Sequence, residues 1–290
     1  LFHWPEQQKR DFWFRVADEA PVDTVYLGEV VCSKRAPFFD HHIEEVADRL
    51  KRGGKRVIWS TLAEVVSKHD RKITESFCTM DDVEANDVSA LNFLSGKPHR
   101  IGQYLNVYNE ETVRHLAKNG ANHFCLAAEL PLETIQELAK VAASVAASVE
   151  VQIFGRVSLA LSARCYHARA HGRTKDNCLL VCEKDTDGLD LKTHSGKPFL
   201  SINGIQTLSD KYLVLASEVP DLQSSGVASF RLSPHTHDMT KIAAAYRQLL
   251  GGSIHPTELD AVLDGIGVPQ ARMNGFLYGR PGFERVSGPQ

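Results

Sequence analysis

Lys55-Arg-Val-Ile-Trp-Ser-Thr61 is a short run of apolar, β-branched and aromatic residues that ends on hydroxyls, and it is followed by an amphipathic stretch, Ala63 to His69. That order reads as a strand feeding a helix. Upstream the same texture occurs once more, with Asp23-Thr-Val-Tyr-Leu-Gly-Glu29 ahead of a helix-like His41 to Arg52. Downstream it continues through Asp82-Val-Glu-Ala-Asn86, Ile101 to Asn106 ahead of Glu110 to Lys118, His123 to Glu129 ahead of Leu132 to Ala147, and Val149-Glu-Val-Gln-Ile-Phe154. Strands alternating with helices predict a mostly parallel sheet with helical crossovers, either closed as a barrel or open and doubly wound. No Gly-x-Gly-x-x-Gly is present, which weakens a dinucleotide-binding reading.

The strand candidates end in polar residues: Glu29, Ser60 with Thr61, Glu84 with Asn86, Asn106 with Asn109, and Glu129. In a barrel these would ring the mouth at the carboxyl ends of the strands, where such folds place their sites. Glu29, Glu84 and Glu129 are therefore the candidates for acid–base work, with organisation of the loops as the alternative role, and Asn86 and Asn106 are candidates for holding a substrate. After Arg156 the texture changes. A cysteine-rich insertion is expected over about 156–218, then a strand, Val227 to Leu232, and a helix, Thr240 to Leu250, that resume the repeat and could close a barrel. A Gly- and Pro-rich tail follows over about 251–290.

Cys165, Cys178 and Cys182 form a C-x12-C-x3-C run in a polar loop, and Cys32 lies far upstream. Spaced cysteines in a chain without disulfide context point to metal, cluster or catalysis. The intervening loop carries His167, Arg169, His171, Arg173 and Lys175, cations that lower thiol pKa values and favour the metal-binding thiolate. Zinc and an iron–sulfur cluster both accept four cysteines, and spacing alone does not choose between them. Cys32 reads equally as core or as ligand from its Val30-Val-Cys setting, whereas Cys78 and Cys125, in apolar surroundings, read as core. His41-His42 and His235-Thr-His237 read as solvated or capping residues.

With 33 Lys+Arg against 36 Asp+Glu, the formal charge of -3 and the lack of a basic stripe argue against nucleic acid as partner. No apolar run approaches the roughly 20 residues that span a bilayer, and the opening Leu1-Phe-His-Trp-Pro5 is unlike a signal peptide. The expectation is a cytoplasmic protein. No serine triad, zinc-protease helix or phosphate loop is recognisable.

The runs Tyr26-Leu-Gly-Glu-Val-Val-Cys-Ser-Lys-Arg35, Ser60-Thr-Leu62, Glu84-Ala-Asn-Asp87, Leu105-Asn-Val-Tyr-Asn109, Ser162-Ala-Arg-Cys-Tyr-His-Ala-Arg169, Lys175-Asp-Asn-Cys178 and Leu200-Ser-Ile-Asn-Gly-Ile-Gln-Thr207 together resemble the UbiV branch of the collagenase-like peptidase family U32. The resemblance extends from about His3 to Gly282. It implies an α/β fold, a (β/α) TIM-barrel-like domain over 1–290, with the cysteine-rich insertion holding a [4Fe-4S] cluster. The branch's cluster ligands correspond to Cys32, Cys165, Cys178 and Cys182, with His167 or Arg169 as candidates to tune the cluster. The implied activity is oxygen-independent hydroxylation of ubiquinone ring precursors, in a heterodimer with a homologous UbiU-like subunit, with prephenate as the associated hydroxyl donor. Two alternatives accompany it: a non-catalytic electron-relay or scaffold subunit for that partner, and an RNA-hydroxylating enzyme like other family members. The chain departs from the family pattern at its start, where the first barrel strand expected before His3 is mostly missing.

Overall fold

The runs that alternate in the sequence do pair side by side. β1 (Thr24–Leu27), β2 (Arg56–Ser60), β3 (Val83–Ala85), β4 (His99–Ile101), β5 (Ala121–Cys125) and β6 (Ser148–Gly155) follow one another in chain order, every neighbour parallel. The chain is described by a computed structural model over residues 2–287. α1 (Glu6–Glu19) precedes β1, and α2 (Asp40–Arg52), α3 (Lys68–Phe77), α4 (Val88–Leu94), α5 (Glu110–Lys118) and α6 (Leu132–Ser144) make the crossovers. The crossovers α2, α4, α5 and α6 bury apolar residues, as Val46, Ala47 and Leu50 of α2 do, whereas the buried residues of α3 are Asp70 and Thr74. Burying a side chain of Val or Leu size contributes about 1.5–3 kcal/mol.

The sheet is curled into a half-barrel. With neighbouring strands about 4.8 Å apart, β1 and β6 in a flat sheet would be separated by roughly 24 Å. Yet the Tyr26 hydroxyl of β1 donates to Glu150 Oε2 of β6 at 2.5 Å, so the two strands face each other across a lumen.

After β6 the chain leaves the barrel for β7 (Ser158–Leu161), the short α7 (Tyr166–Ala170), β8 (Leu189–Lys192), β9 (Pro198–Asn203) and β10 (Gln206–Ser209). These four strands form a second, antiparallel sheet in the order β7-β10-β9-β8. β11 (Tyr212–Val214) returns to the main sheet, antiparallel to the end of β6 and parallel to the late β13 (Arg272–Met273). α8 (Val219–Ser224) leads to β12 (Ser229–Leu232), and α9 (Met239–Leu250) and α10 (Pro256–Ile266) follow. β12 pairs in parallel with β6, and its pairing does not extend to β1 among the described residues, so the strand expected to close the barrel instead forms an edge of the half-barrel. The tail's last three residues, 288–290, lie outside the described part.

Two sequence expectations shift here. The helix read as Ala63 to His69 starts later, at Lys68, because Ser67 and Asp70 form a reciprocal cap: Asp70 N donates to Ser67 Oγ and Ser67 N to Asp70 Oδ2. The strand read as Ile101 to Asn106 is His99–Ile101 followed by a 3-10 turn over Gln103–Leu105. No helix among the described residues is long and apolar enough to cross a membrane.

Candidate functional site

Cys32 lies just past the end of β1, where Glu29 turns the chain by accepting from the amides of Val31 and Cys32 at 2.9 and 3.0 Å. The following turn, Ser33–Phe38, carries Lys34 and Arg35 toward the inserted region. Lys34 Nζ donates to the carbonyls of Lys175 and Asp176 at 2.6 and 3.3 Å, fixing the backbone just ahead of Cys178 to the Cys32 loop. Cys165 caps α7, its Sγ accepting from Ala168 N at 3.4 Å. Leu179 and Leu180, between Cys178 and Cys182, both take left-handed backbone conformations at φ 46° and 51°, a costly arrangement for branched residues. Asp185 Oδ2 binds both His167 Nε2, at 2.7 Å, and His171 Nε2, at 2.9 Å, cross-linking the segment after Cys165 to the segment after Cys182.

The four cysteines thus lie on three stretches that Lys34 and Asp185 tie to one another. Charges on Cys165 and Cys178 oppose ionisation of Cys182, and Arg35 acts on both Cys182 and Cys32. Burial raises the pKa of Cys32 and of Cys182, and the Arg35 charge pulls each back down. The cation that matters to these two thiols is therefore Arg35, joined at Cys32 by Lys175, and the other loop cations anticipated from the sequence contribute less. His167 is committed to Asp185 and to the Gly204 amide, while Arg169 points to solvent.

Arg35 is buried, 2 % exposed, and its surroundings do not satisfy it. Nη2 donates to Asn203 Oδ1 at 2.9 Å, but Nε and Nη1 have no hydrogen-bond partner. A buried guanidinium is costly unless an anion accompanies it, and here the nearest carboxylate influence, Glu29, is shared with Lys9. His3, buried nearby, is pushed down to about 4, first by burial and then by the Arg35 charge. Four cysteine thiolates around a metal centre would add negative charge where two buried cations, Lys9 and Arg35, face the single carboxylate of Glu29, so the donor set fits a cysteine-ligated group. Among the described residues, the sets of three or more donors whose ligand atoms lie within 4.8 Å of one another are Glu6/His41/His42 and His167/His171/Asp185, neither containing a cysteine.

The lumen holds a buried charge network. Arg231 of β12 donates through Nη2 to Glu84 Oε1 at 2.5 Å and Glu150 Oε2 at 2.9 Å, and through Nε to Glu150 Oε1 at 3.0 Å. Its guanidinium stacks 3.8 Å from the Tyr26 ring. Ser60 Oγ donates to Glu84 Oε2 at 2.8 Å, and His123 Nε2 lies 3.0 Å from Glu150 Oε2. Despite complete burial, Arg231 and His123 hold the Glu150 carboxyl far below its ordinary range, and the Tyr26 hydroxyl is raised by burial. Next to the network lies a cavity of about 820 Å³ lined by Tyr26, Ser60, Arg100, Tyr104, Gln206 and Arg231 among others.

The sequence profile described as peptidase family U32 matches residues 13–285. The chain belongs to peptidase family U32. A structural neighbour is a mutant O-GlcNAc hydrolase from Thermobaculum terrenum, 8 % identical, superposing over 91 % of this chain and 60 % of that one with a TM-score of 0.46. The U32 chain therefore spans less than two thirds of that neighbour's length.

Of the mouth residues anticipated in this U32 chain, Glu29 is half-buried beside Cys32, while Glu84 and Asn86 are buried together, with Asn86 Nδ2 3.3 Å from Glu84 Oε2. Glu129 stands apart, taking the Tyr108 hydroxyl at the surface, because β5 ends at Cys125 and not at Glu129. Asn106 is an exposed left-handed cap of the turn after β4. Arg35, Glu150 and Arg231 were missed. The signal for Glu150 was available: in Val149-Glu-Val-Gln-Ile the polar residues occupy every second position, one face of a strand. Cys78 and Cys125 are core, as read, with burial pushing the Cys78 thiol up to about 11. His235, expected at the surface, is buried and accepts from Arg156 N at 3.1 Å.

Proposed function

We propose that this U32 chain is the iron–sulfur subunit of an oxygen-independent hydroxylase acting on ubiquinone ring precursors, of the UbiV type, working with a homologous UbiU-like subunit. The observation that supports the cofactor assignment is the buried Arg35, its Nε and Nη1 without hydrogen-bond partners, beside Cys32 and Cys182, with Cys165 and Cys178 acting on Cys182. In this reading Cys32, Cys165, Cys178 and Cys182 hold a [4Fe-4S] cluster. The substrate class follows from the sequence resemblance to the UbiV branch over Tyr26–Arg35 and Ser162–Arg169.

With cysteine on every iron, the group would supply electron transfer, its potential set by charge and by hydrogen bonds to sulfur. The protein's own contributions are positional. Lys34 and Asp185 hold the ligand-bearing segments together. The Arg231, Glu84 and Glu150 network keeps the lumen's charges balanced beside a cavity of about 820 Å³, large enough for a substituted aromatic ring. Hydroxylation without dioxygen takes its oxygen from another donor, and prephenate is the one the resemblance brings.

The test is anaerobic co-expression with a UbiU-like partner in cells whose own oxygen-independent hydroxylation has been deleted. Restored ubiquinone under anoxia, lost on Cys178→Ser, is expected. Unchanged ubiquinone deficiency with both subunits soluble and iron-loaded would contradict the proposal.

A further inference from the structure

Arg35 occupies a place that folding alone does not explain. It sits three residues after Cys32, and its Nη2 is held by Asn203 Oδ1 at 2.9 Å. Asn203 is itself tied to Gln206 Oε1 at 2.9 Å, and Gln206 to the Tyr104 hydroxyl at 2.5 Å, so one polar chain runs from the lumen to the guanidinium. The β9–β10 hairpin presses Gly204 on it so closely that a Cβ there would lie 2.8 Å from Nη2, and Gly204 has φ +64°. The same glycine receives the His167 amide through its carbonyl at 3.5 Å and donates its own amide to His167 Nδ1 at 3.4 Å. The guanidinium is thus clamped where the Cys32 loop, the hairpin and the Cys165 helix meet, with Nε and Nη1 left free.

Resting on the cluster assignment above, we infer that Arg35 is a positioning residue for the cluster: its free Nε–H and Nη1–H donate to ligand sulfur and set the reduction potential. Lysine would keep the charge but not a planar fork fixed by Asn203. A fixed cation close to the sulfurs favours the reduced cluster, which carries one more negative charge, so Arg35 raises the potential. Replacing it with a neutral residue of similar length makes reduction harder. On the order of a tenfold fall in the reduction equilibrium is expected, or about 59 mV for a one-electron couple.

The experiment is anaerobic redox titration, followed by electron paramagnetic resonance, of the wild-type heterodimer and of Arg35→Gln and Arg35→Lys, with iron counted in each. The proposal expects full iron in all three, a potential lowered by about 59 mV or more in Arg35→Gln, and a smaller change in Arg35→Lys. Equal potentials in iron-loaded wild type and Arg35→Gln would overturn the role of Arg35 and leave the cluster assignment standing. Absence of iron from the wild type would overturn both. Should Arg35→Gln not fold, pulsed resonance on the reduced wild-type protein carrying 15N-arginine decides: a 15N coupling to the cluster spin is expected, and its absence would overturn the inference.

Discussion

Replacing Arg231 by methionine isolates the energetics of the lumen. The substitution keeps most of the side-chain length but leaves Glu84 and Glu150, whose side chains are 2 % and 4 % exposed, without their shared cation. Breaking a buried ion pair by removing one partner costs about 3–5 kcal/mol. At about 2.1 cal/mol/K of unfolding entropy per residue, 290 residues give about 0.6 kcal/mol/K, so the melting temperature at pH 7 should fall by roughly 5–8 °C. The sign with pH follows from Glu150. Its folded pKa lies below the ordinary 4.5, so it contributes stability in full above that value and loses it as pH falls towards the folded pKa. Without Arg231 the buried Glu150 carboxyl becomes harder to ionise, and the variant is penalised most at neutral pH. Scanning calorimetry at pH 7.5 and pH 5 should therefore show the gap to wild type narrowing on acidification, and adding Glu150→Gln should recover part of it. A gap below about 1 kcal/mol at neutral pH, or one that widens in acid, would refute the reasoning.

Cys32→Ser, Cys165→Ser, Cys178→Ser and Cys182→Ser should each strip most of the iron from anaerobically purified protein, while Cys78→Ser and Cys125→Ser keep it. Full iron in Cys32→Ser would break the ligand assignment. Gly204→Ala forces a side chain into a left-handed position and against Arg35 Nη2 at 2.8 Å; a loss of about 1–2 kcal/mol is expected by urea denaturation, and an unchanged midpoint would show that the hairpin yields. Ser67→Ala removes half of the reciprocal cap on α3 and should cost about 1 kcal/mol in the same assay.

The alternation of strands and helices was legible because β1 to β6 are short apolar runs, and Ile58, Ala85, Ile101 and Phe124 are fully buried in them. α1 went unread because Gln7, Gln8, Lys9 and Arg10 mask a stripe carried by Trp13, Val16 and Ala17. The local pattern left a curled and an open sheet equally possible, and the family resemblance favoured the curled one, because curling shows itself through a contact between residues 26 and 150 that no local pattern encodes. Among the candidate site residues, Cys165, Cys178 and Cys182 stood out by type and spacing, whereas Cys32 was singled out by the family resemblance alone. Arg35 did not, because an arginine in Ser33-Lys-Arg35 looks like a solvated loop until the hairpin at Gly204 is seen to cover it. Glu129 was misjudged because the end of β5 was placed four residues too late; the strand stops at Cys125.

In the proposed reading, four cysteines and a buried arginine surround an iron–sulfur cluster. This reading is tested most directly by iron, acid-labile sulfide and zinc content, with the visible spectrum, on protein purified without oxygen alongside a UbiU-like partner. About four iron and four sulfide per chain with a broad band about 400 nm are expected. Stoichiometric zinc and a colourless protein would contradict it.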